Sequence, residues 1–146
     1  MFVREILGRK GHDIVTVAPG EALEFAAAHM KLQGVGALVV CEADRKLRGV
    51  ISERDIVRAI VDYGPKALQR KASDFMDANP VTCSPDDTIA SVAKKMTGAR
   101  VRHTPVCEAG EIKGIISIGD IVKERFEEME LERNMLRDMA GAHQVT

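Results

Sequence analysis

The chain repeats itself. At a shift of 66 positions, "IVTVAPGEAL" (Ile14–Leu23) falls on "PVTCSPDDTI" (Pro80–Ile89), so that Val15, Thr16 and Pro19 match Val81, Thr82 and Pro85. The same shift superposes Ala27 on Ala93, Met30 on Met96, Val35 on Val101, and the "VCEA" of Val40–Ala43 on that of Val106–Ala109. With one residue fewer in the next turn, "GVISERDIV" (Gly49–Val57) meets "GIISIGDIV" (Gly114–Val122). So many identities in register mark a tandem duplication. Each copy is too short to bury a sheet by itself, and two copies face to face solve that burial problem.

Both copies predict the same elements. A short extended stretch ends at Pro19 or Pro85, and an acidic pair then opens an amphipathic helix over Glu21–Leu32 or Asp86–Thr97. Two β-rich runs follow, "VGALVV" with "LRGVIS" and "VRHTPVC" with "IKGIIS", each pair joined by a charged turn. A second helix starts after Ser52 or Ser117. The order β-α-β-β-α is thus written twice, an α+β fold with the two repeats packed against each other about a pseudo-two-fold axis. The expected boundaries are 10–62 for the first repeat, 63–76 for a linker broken at Gly64-Pro65, 77–126 for the second repeat, and 127–146 for a helical tail. Asp120 to about Met139 reads as one long helix with Val122, Phe126, Met129, Leu136 and Met139 near helical spacing, interrupted by Arg133.

Composition narrows the function classes. The net charge is -1 and no long basic run occurs, which argues against a nucleic-acid partner. No apolar run approaches the roughly 20 residues of a membrane span, and Arg4 and Glu5 interrupt any signal-peptide core. The expectation is a cytoplasmic protein without membrane insertion. Its 3 cysteines contain no Cys-x-x-Cys pair, and Cys41 and Cys107 read as equivalent strand-end residues. The histidines His12, His29, His103 and His143 have no metal-ligand spacing, so no metal is expected.

Ser52-x-x-Asp55 and Ser117-x-x-Asp120 admit two readings. A serine N-cap with a carboxylate three residues later is close to a capping box, worth roughly 1 kcal/mol without any ligand. The same geometry holds a carboxylate at a helix start, where it can accept two hydrogen bonds from a cis-diol beside amides that can meet an anion. Arg100, Arg102 and His103 cluster around a strand, either as solvated charge or as a phosphate contact suited to arginine's planar fork. Arg54 either joins them or pairs with Glu53 or Glu21. No nucleophile elbow or glycine-rich phosphate loop accompanies the Ser, His and Asp residues, so no enzyme is expected.

Residues 10–126 resemble a pair of cystathionine β-synthase (CBS) domains, also called a Bateman module. The resemblance rests on "VTVAPGEAL", "VGALVV", "LRGVISERDIV", "PVTCSPDDTI", "VRHTPV" and "IKGIISIGDIV", with "REIL" (Arg4–Leu7) and "SDFM" (Ser73–Met76) as the short helical lead-ins. It implies a non-catalytic sensor of adenosine-containing ligands: AMP first, then ADP, ATP, NAD(H) or S-adenosylmethionine. Such a sensor signals by changing the packing of its two domains. It also implies a homodimer, and regulation of an enzyme or transporter in trans. A structural adaptor with vestigial clefts is the alternative.

In this family one domain typically supplies the Ser/Thr-x-x-Asp element and the other the threonine and small residues that flank the base. Carried over, one cleft takes Ser117 and Asp120 with Thr16, Val35, Gly36 and Ala37. The other takes Ser52, Arg54 and Asp55 with Thr82, Val101, Arg102, His103 and, from the Arg-His-x-Pro pattern, Pro105. The Asp120 cleft, apolar and lined by small residues, is expected to be the primary adenosine site.

Overall fold

The structure, a computed structural model, describes residues 1–11 and 14–144, with side chains up to Gly141. His12 and the side chain of His143 therefore lie outside the described residues. The elements run α1 (Val3–Lys10), β1 (Thr16–Val17), α2 (Leu23–Gln33), β2 (Ala37–Cys41), β3 (Leu47–Ser52) and α3 (Glu53–Tyr63). Two short 3-10 helices (Gly64–Gln69 and Ala72–Asp74) lead to α4 (Ile89–Ala99), β4 (His103–Glu108), β5 (Glu111–Ser117) and α5 (Ile118–Gln144).

In the first repeat β1 pairs parallel to β2, and β2 antiparallel to β3. In the second, β4 and β5 pair antiparallel, and the counterpart of β1 shrinks to one parallel bridge between Cys83 and Val106. In the first repeat the Val39 N–H donates to the Val15 carbonyl at 3.4 Å, whereas its counterpart in β4 is Pro105, and a proline has no N–H to extend a ladder. Both antiparallel pairs shift register at the same place, between Val40 and Cys41 and between Val106 and Cys107.

Helices α2 and α4 begin two to three residues later than the acidic pairs suggest. Glu21 and Asp87 instead close the preceding turns, accepting from the backbone N–H of Ala18 at 3.2 Å and of Ser84 at 2.9 Å. A short acidic side chain next to a turn satisfies that local donor before it serves the helix dipole. Thr88 caps α4 by accepting from Ser91 N–H.

The lead-ins cross over. Val3, Ile6 and Leu7 of α1 are buried in the second repeat's core with Cys83, Ile89, Val92, Met96, Val106, Ile116 and Ile121. Ala67 and Ala72 of the linker are buried in the first repeat's core, with Phe75 and Met76 packed against it. Equivalent bridges fix both crossings, Phe2 to Thr88 and Ala22 to Lys71. This crossing accounts for the repeated glycine of "GVIS" and "GIIS". A Cβ on Gly49 would lie 2.6 Å from the Asp77 carbonyl oxygen and 2.8 Å from Met76 Sδ. A Cβ on Gly114 would lie 2.5 Å from Leu7 Cδ2.

The repeats meet along a third apolar cluster. Val39, Cys41 and Ile112 are buried there, with Leu47, Cys107 and Ile115 partly buried around them. The equivalent cysteines of the two "VCEA" segments thus share this seam. A bridge between the equivalent residues Lys46 and Glu111, and the Ile112 N–H donating to the Arg45 carbonyl at 3.0 Å, mark where the pseudo-two-fold axis passes.

Candidate functional site

Both Ser-x-x-Asp segments form reciprocal caps. At α3 the Ser52 N–H donates to Asp55 Oδ2 at 2.8 Å, and the Asp55 N–H donates to Ser52 Oγ at 3.3 Å. At α5 the Ser117 N–H donates to Asp120 Oδ2 at 2.8 Å, and the Asp120 N–H to Ser117 Oγ at 3.1 Å. Each cap uses Oδ2, so the other carboxylate oxygen stays available to a further donor. The strand before each helix is tied to the partner strand's lead-in. Glu53 N–H donates to the Gly36 carbonyl at 3.0 Å, and Ile118 N–H to the equivalent Arg102 carbonyl at 2.9 Å.

The two copies then diverge. A cleft of about 310 Å³ opens at Asp55, between the β3–α3 junction of the first repeat and the α4–β4 junction of the second. Ser52, Glu53, Arg54, Asp55 and Arg58 line one wall; Arg100, Val101, Arg102 and His103 line the other, with Pro80 and Val81 beside them. Gly36 also lines this cleft, against the sequence expectation that placed it at Asp120. The His103 imidazole reaches across the repeats to it, and a Cβ on Gly36 would sit 3.4 Å from Nε2. The missing side chain at position 36 is what lets the ring approach.

Charge decides what this cleft suits. Arg54, Arg58, Arg100 and Arg102 make no ion pair among the described residues, whereas Arg4, Arg9, Arg48 and Arg70 each have a carboxylate partner. Four guanidinium groups outnumber the carboxylates of Glu53, Asp55 and Asp77 around one hollow, and a phosphate's three oxygens suit their planar forks. Burial pushes the His103 imidazole below its ordinary value; Lys10 and Arg102 push the same way, while Glu53 and Asp120 oppose them. Arg100 is held in the left-handed region at φ 57°, the cap position that Gly34 fills in the first repeat at φ 66°.

The Asp120 end is smaller and holds an ion pair. A hollow of about 150 Å³ there is lined by Ile6, Arg9, Lys10, Asp120, Lys123, Glu124 and Glu127, without Thr16, Val35, Gly36 or Ala37. Lys10 Nζ lies 2.8 Å from Asp120 Oδ2. Burial raises the Asp120 carboxyl, but the Lys10 ammonium and the Ser117 N–H outweigh it and hold the group below the usual carboxylate range. Arg9 forms a second pair with the buried Glu124, at 2.6 and 2.7 Å to its two oxygens. The equivalents are neutral in the other copy. With Leu7 set on Met76, Arg9 and Lys10 correspond to Ala78 and Asn79, and Glu124 corresponds to Ala59. A cation pair therefore fills one socket and leaves its twin open.

The remaining expected residues lie apart from the open cleft. Ala37 and Pro105 are buried in strands, Val35 packs on the first repeat's core, and Thr82 is exposed. Thr16 is half-buried in β1, and burial raises the Cys41 and Cys107 thiols and pushes Cys83 up to about 12. The sequence reading missed Arg58, Pro80, Val81 and Asp77, and left Arg100 undecided. Arg58 was signalled by its four-residue spacing from Arg54, which puts both on one helix face.

The CBS domain family model matches residues 3–62 and 72–127. A curated relative, the CBS domain-containing protein CBSX3, mitochondrial, of Arabidopsis thaliana, is 34% identical over 102 residues, covering 67% of this chain and 50% of its own length. The chain thus spans half the length of that relative. A crystal structure of a CBS-domain-containing protein from Agrobacterium tumefaciens superposes with a TM-score of 0.82 at 43% identity, covering 86% of this chain and 99% of that one. A CBS domain protein from Pyrobaculum aerophilum complexed with AMP superposes with a TM-score of 0.78 at 27% identity, covering 91% of this chain and 99% of that one.

Proposed function

The chain belongs to the CBS domain family, and from that premise we propose that it is a non-catalytic regulatory module that binds an adenine mononucleotide in the Asp55 cleft. The observation that carries this reading is the cluster of Arg54, Arg58, Arg100 and Arg102 around a capped carboxylate. Asp55 takes the ribose cis-diol on its second oxygen, and the arginines with His103 take the phosphate. The base lies against the strand at Gly36 and Val101. The cleft, at about 310 Å³, sits at the low end of the roughly 300–1,000 Å³ of small-molecule sites, which favours AMP over the larger NAD(H). The AMP complex of the Pyrobaculum relative supports the same class.

The ligand joins both repeats at one junction, so it favours the domain packing that brings Arg102 and His103 to Asp55. It shifts that equilibrium only by its difference in affinity for the two packings. A regulated enzyme or transporter in trans reads the change. Three free, proton-bearing thiols suit a reducing cytoplasmic setting.

Calorimetry and thermal shift with AMP, ATP, NAD(H) and S-adenosylmethionine test the reading. A saturating ligand at 100 times its Kd adds about 2.7 kcal/mol of stability, which is several degrees in Tm for a chain of this size. Asp55→Asn keeps an acceptor for the cap but weakens the diol contact, and is expected to remove most of the gain. No shift with any of these ligands at millimolar concentration overturns the proposal in favour of an adaptor whose clefts are vestigial.

A further inference from the structure

Helix α5 is 27 residues long, about 40 Å at 1.5 Å per residue, and only its first part touches the body. Ile121 and Glu124 are buried and Glu128 is partly covered, whereas residues 129–141 are all exposed. A helix of such length with apolar side chains in water needs a covering partner. Val122, Phe126, Met129, Leu136 and Ala140 fall at the inner positions of a 4-3 heptad alternation, with Arg133 in the same row. Val122, Phe126, Met129 and Leu136 are 60–67% exposed. The row lies well round the helix from Ile121, Glu124 and Glu128, so it faces away from the body. The flanking charges then fix what fits against it.

We propose that this row is the seam of a parallel, in-register coiled coil between α5 and α5 of a second copy of the chain. In that alignment the flanking positions meet five residues apart. Arg125 faces Glu130 of the partner subunit, and Glu132 faces Arg137 of the partner subunit, so each pair is attractive and each occurs twice by symmetry. Arg133, the one charged residue in the seam, lies beside Glu132 of the partner subunit. A polar residue at a single seam position sets register at some cost in stability. The existing contacts of these side chains do not compete strongly. Arg125–Glu128 and Arg133–Glu130 both stand at 3.9 Å on the exposed surface, where such pairs contribute little. Met139 flanks the seam, and Leu131 and Met135 lie on the opposite side, outside it.

The test uses the full chain without ligand, so it is independent of the nucleotide reading. Sedimentation analysis is expected to show a dimer whose dissociation rises when Arg125→Glu and Arg137→Glu are combined, since every flanking pair becomes Glu against Glu. A chain carrying Glu130→Arg and Glu132→Arg is expected to dissociate likewise, with every pair Arg against Arg. Mixing the two variants restores opposite charge at all four contacts, and a heterodimer is expected at least tenfold tighter than either parent. Leu136→Cys is expected to cross-link to itself under mild oxidation while the parent chain does not. A monomer at 100-fold dilution series down from the highest soluble concentration, a dimer unaffected by either charge reversal, or a failure of the mixture to associate overturns the proposal. Unchanged circular dichroism at the body's melting transition shows that each variant is folded.

Discussion

Lys10 ends its helix on Asp120, Nζ 2.8 Å from Oδ2, while Asp55, the carboxylate in the twin position, has no cation on it among the described residues. The lead-in of the first repeat thus sets its ammonium on the same oxygen that caps α5, and neutralises the second carboxylate. If the Asp55 cleft binds one nucleotide, Lys10→Met is expected to release Asp120 and raise the stoichiometry from one ligand to two in titration calorimetry. A stoichiometry that stays at one shows that something other than this ion pair keeps the second socket shut.

The same pair has a signed pH dependence. The Asp120 carboxyl is held below the usual carboxylate range in the folded chain. Its contribution to stability is therefore complete above the unfolded value of about 3.9 and is lost as pH falls through the lower folded value. Melting temperatures of the parent chain and Lys10→Met are expected to differ near pH 6 and to converge towards pH 3. A difference that is constant across that range assigns the effect to packing of the lysine stem.

The two repeated glycines are not equally replaceable. A methyl at Gly49 meets the Asp77 carbonyl, a backbone atom held by paired hydrogen bonds to Val50 at 3.0 and 2.9 Å. A methyl at Gly114 meets Leu7 Cδ2, the end of a side chain that can turn aside. Gly49→Ala is expected to cost about 1–3 kcal/mol or more by overpacking, and Gly114→Ala distinctly less. Chemical denaturation measures both, and Leu7→Ala is expected to relieve Gly114→Ala through a positive coupling. Equal costs contradict the crossed packing of the lead-ins.

The duplication, the paired strands and both caps were legible because each is encoded locally: alternation for β5, a serine and a carboxylate three apart for α3 and α5. The crossing of α1 onto the second repeat was not, since it joins residues more than eighty positions apart. Its trace in the sequence is the retained glycine of each copy. Which socket stays open was likewise hidden. It turns on Lys10, Arg9 and Glu124 replacing Asn79, Ala78 and Ala59, a three-residue exchange that means little until α1 is known to lie against α5. Glycine at 36 and isoleucine at 118 suggested an apolar socket at Asp120, whereas the structure brings the lysine at the end of α1 onto that carboxylate.

His103 adds a proton-linked step. Burial holds its imidazole below its ordinary value, so it is neutral in the free cleft near pH 7. A phosphate bound beside it raises that value, and binding takes up a proton. AMP affinity is expected to rise as pH falls from 8 to 6.5, and His103→Gln to flatten this rise. Calorimetry in buffers of different ionisation enthalpy reads the proton uptake directly. Equal uptake by the two chains removes His103 from the site.

Arg100 sets stability against binding. Its backbone is left-handed at φ 57° and ψ 40°, a conformation that strains a non-glycine residue by roughly 1–2 kcal/mol. Gly34 fills the equivalent cap without that strain at φ 66° and ψ 35°. Arg100→Gly removes the strain, and the greater freedom of a glycine in the unfolded chain offsets part of the gain. The variant is expected to melt at or above the parent temperature. Arg100→Ala keeps the strain and is expected to melt at or below it. Both lose one charge-assisted contact to the phosphate, worth about 1.5–3 kcal/mol, so both are expected to bind AMP tenfold or more weakly. If Arg100→Gly binds as the parent does, the side chain is not a phosphate contact, and the left-handed arginine has no ligand to account for it.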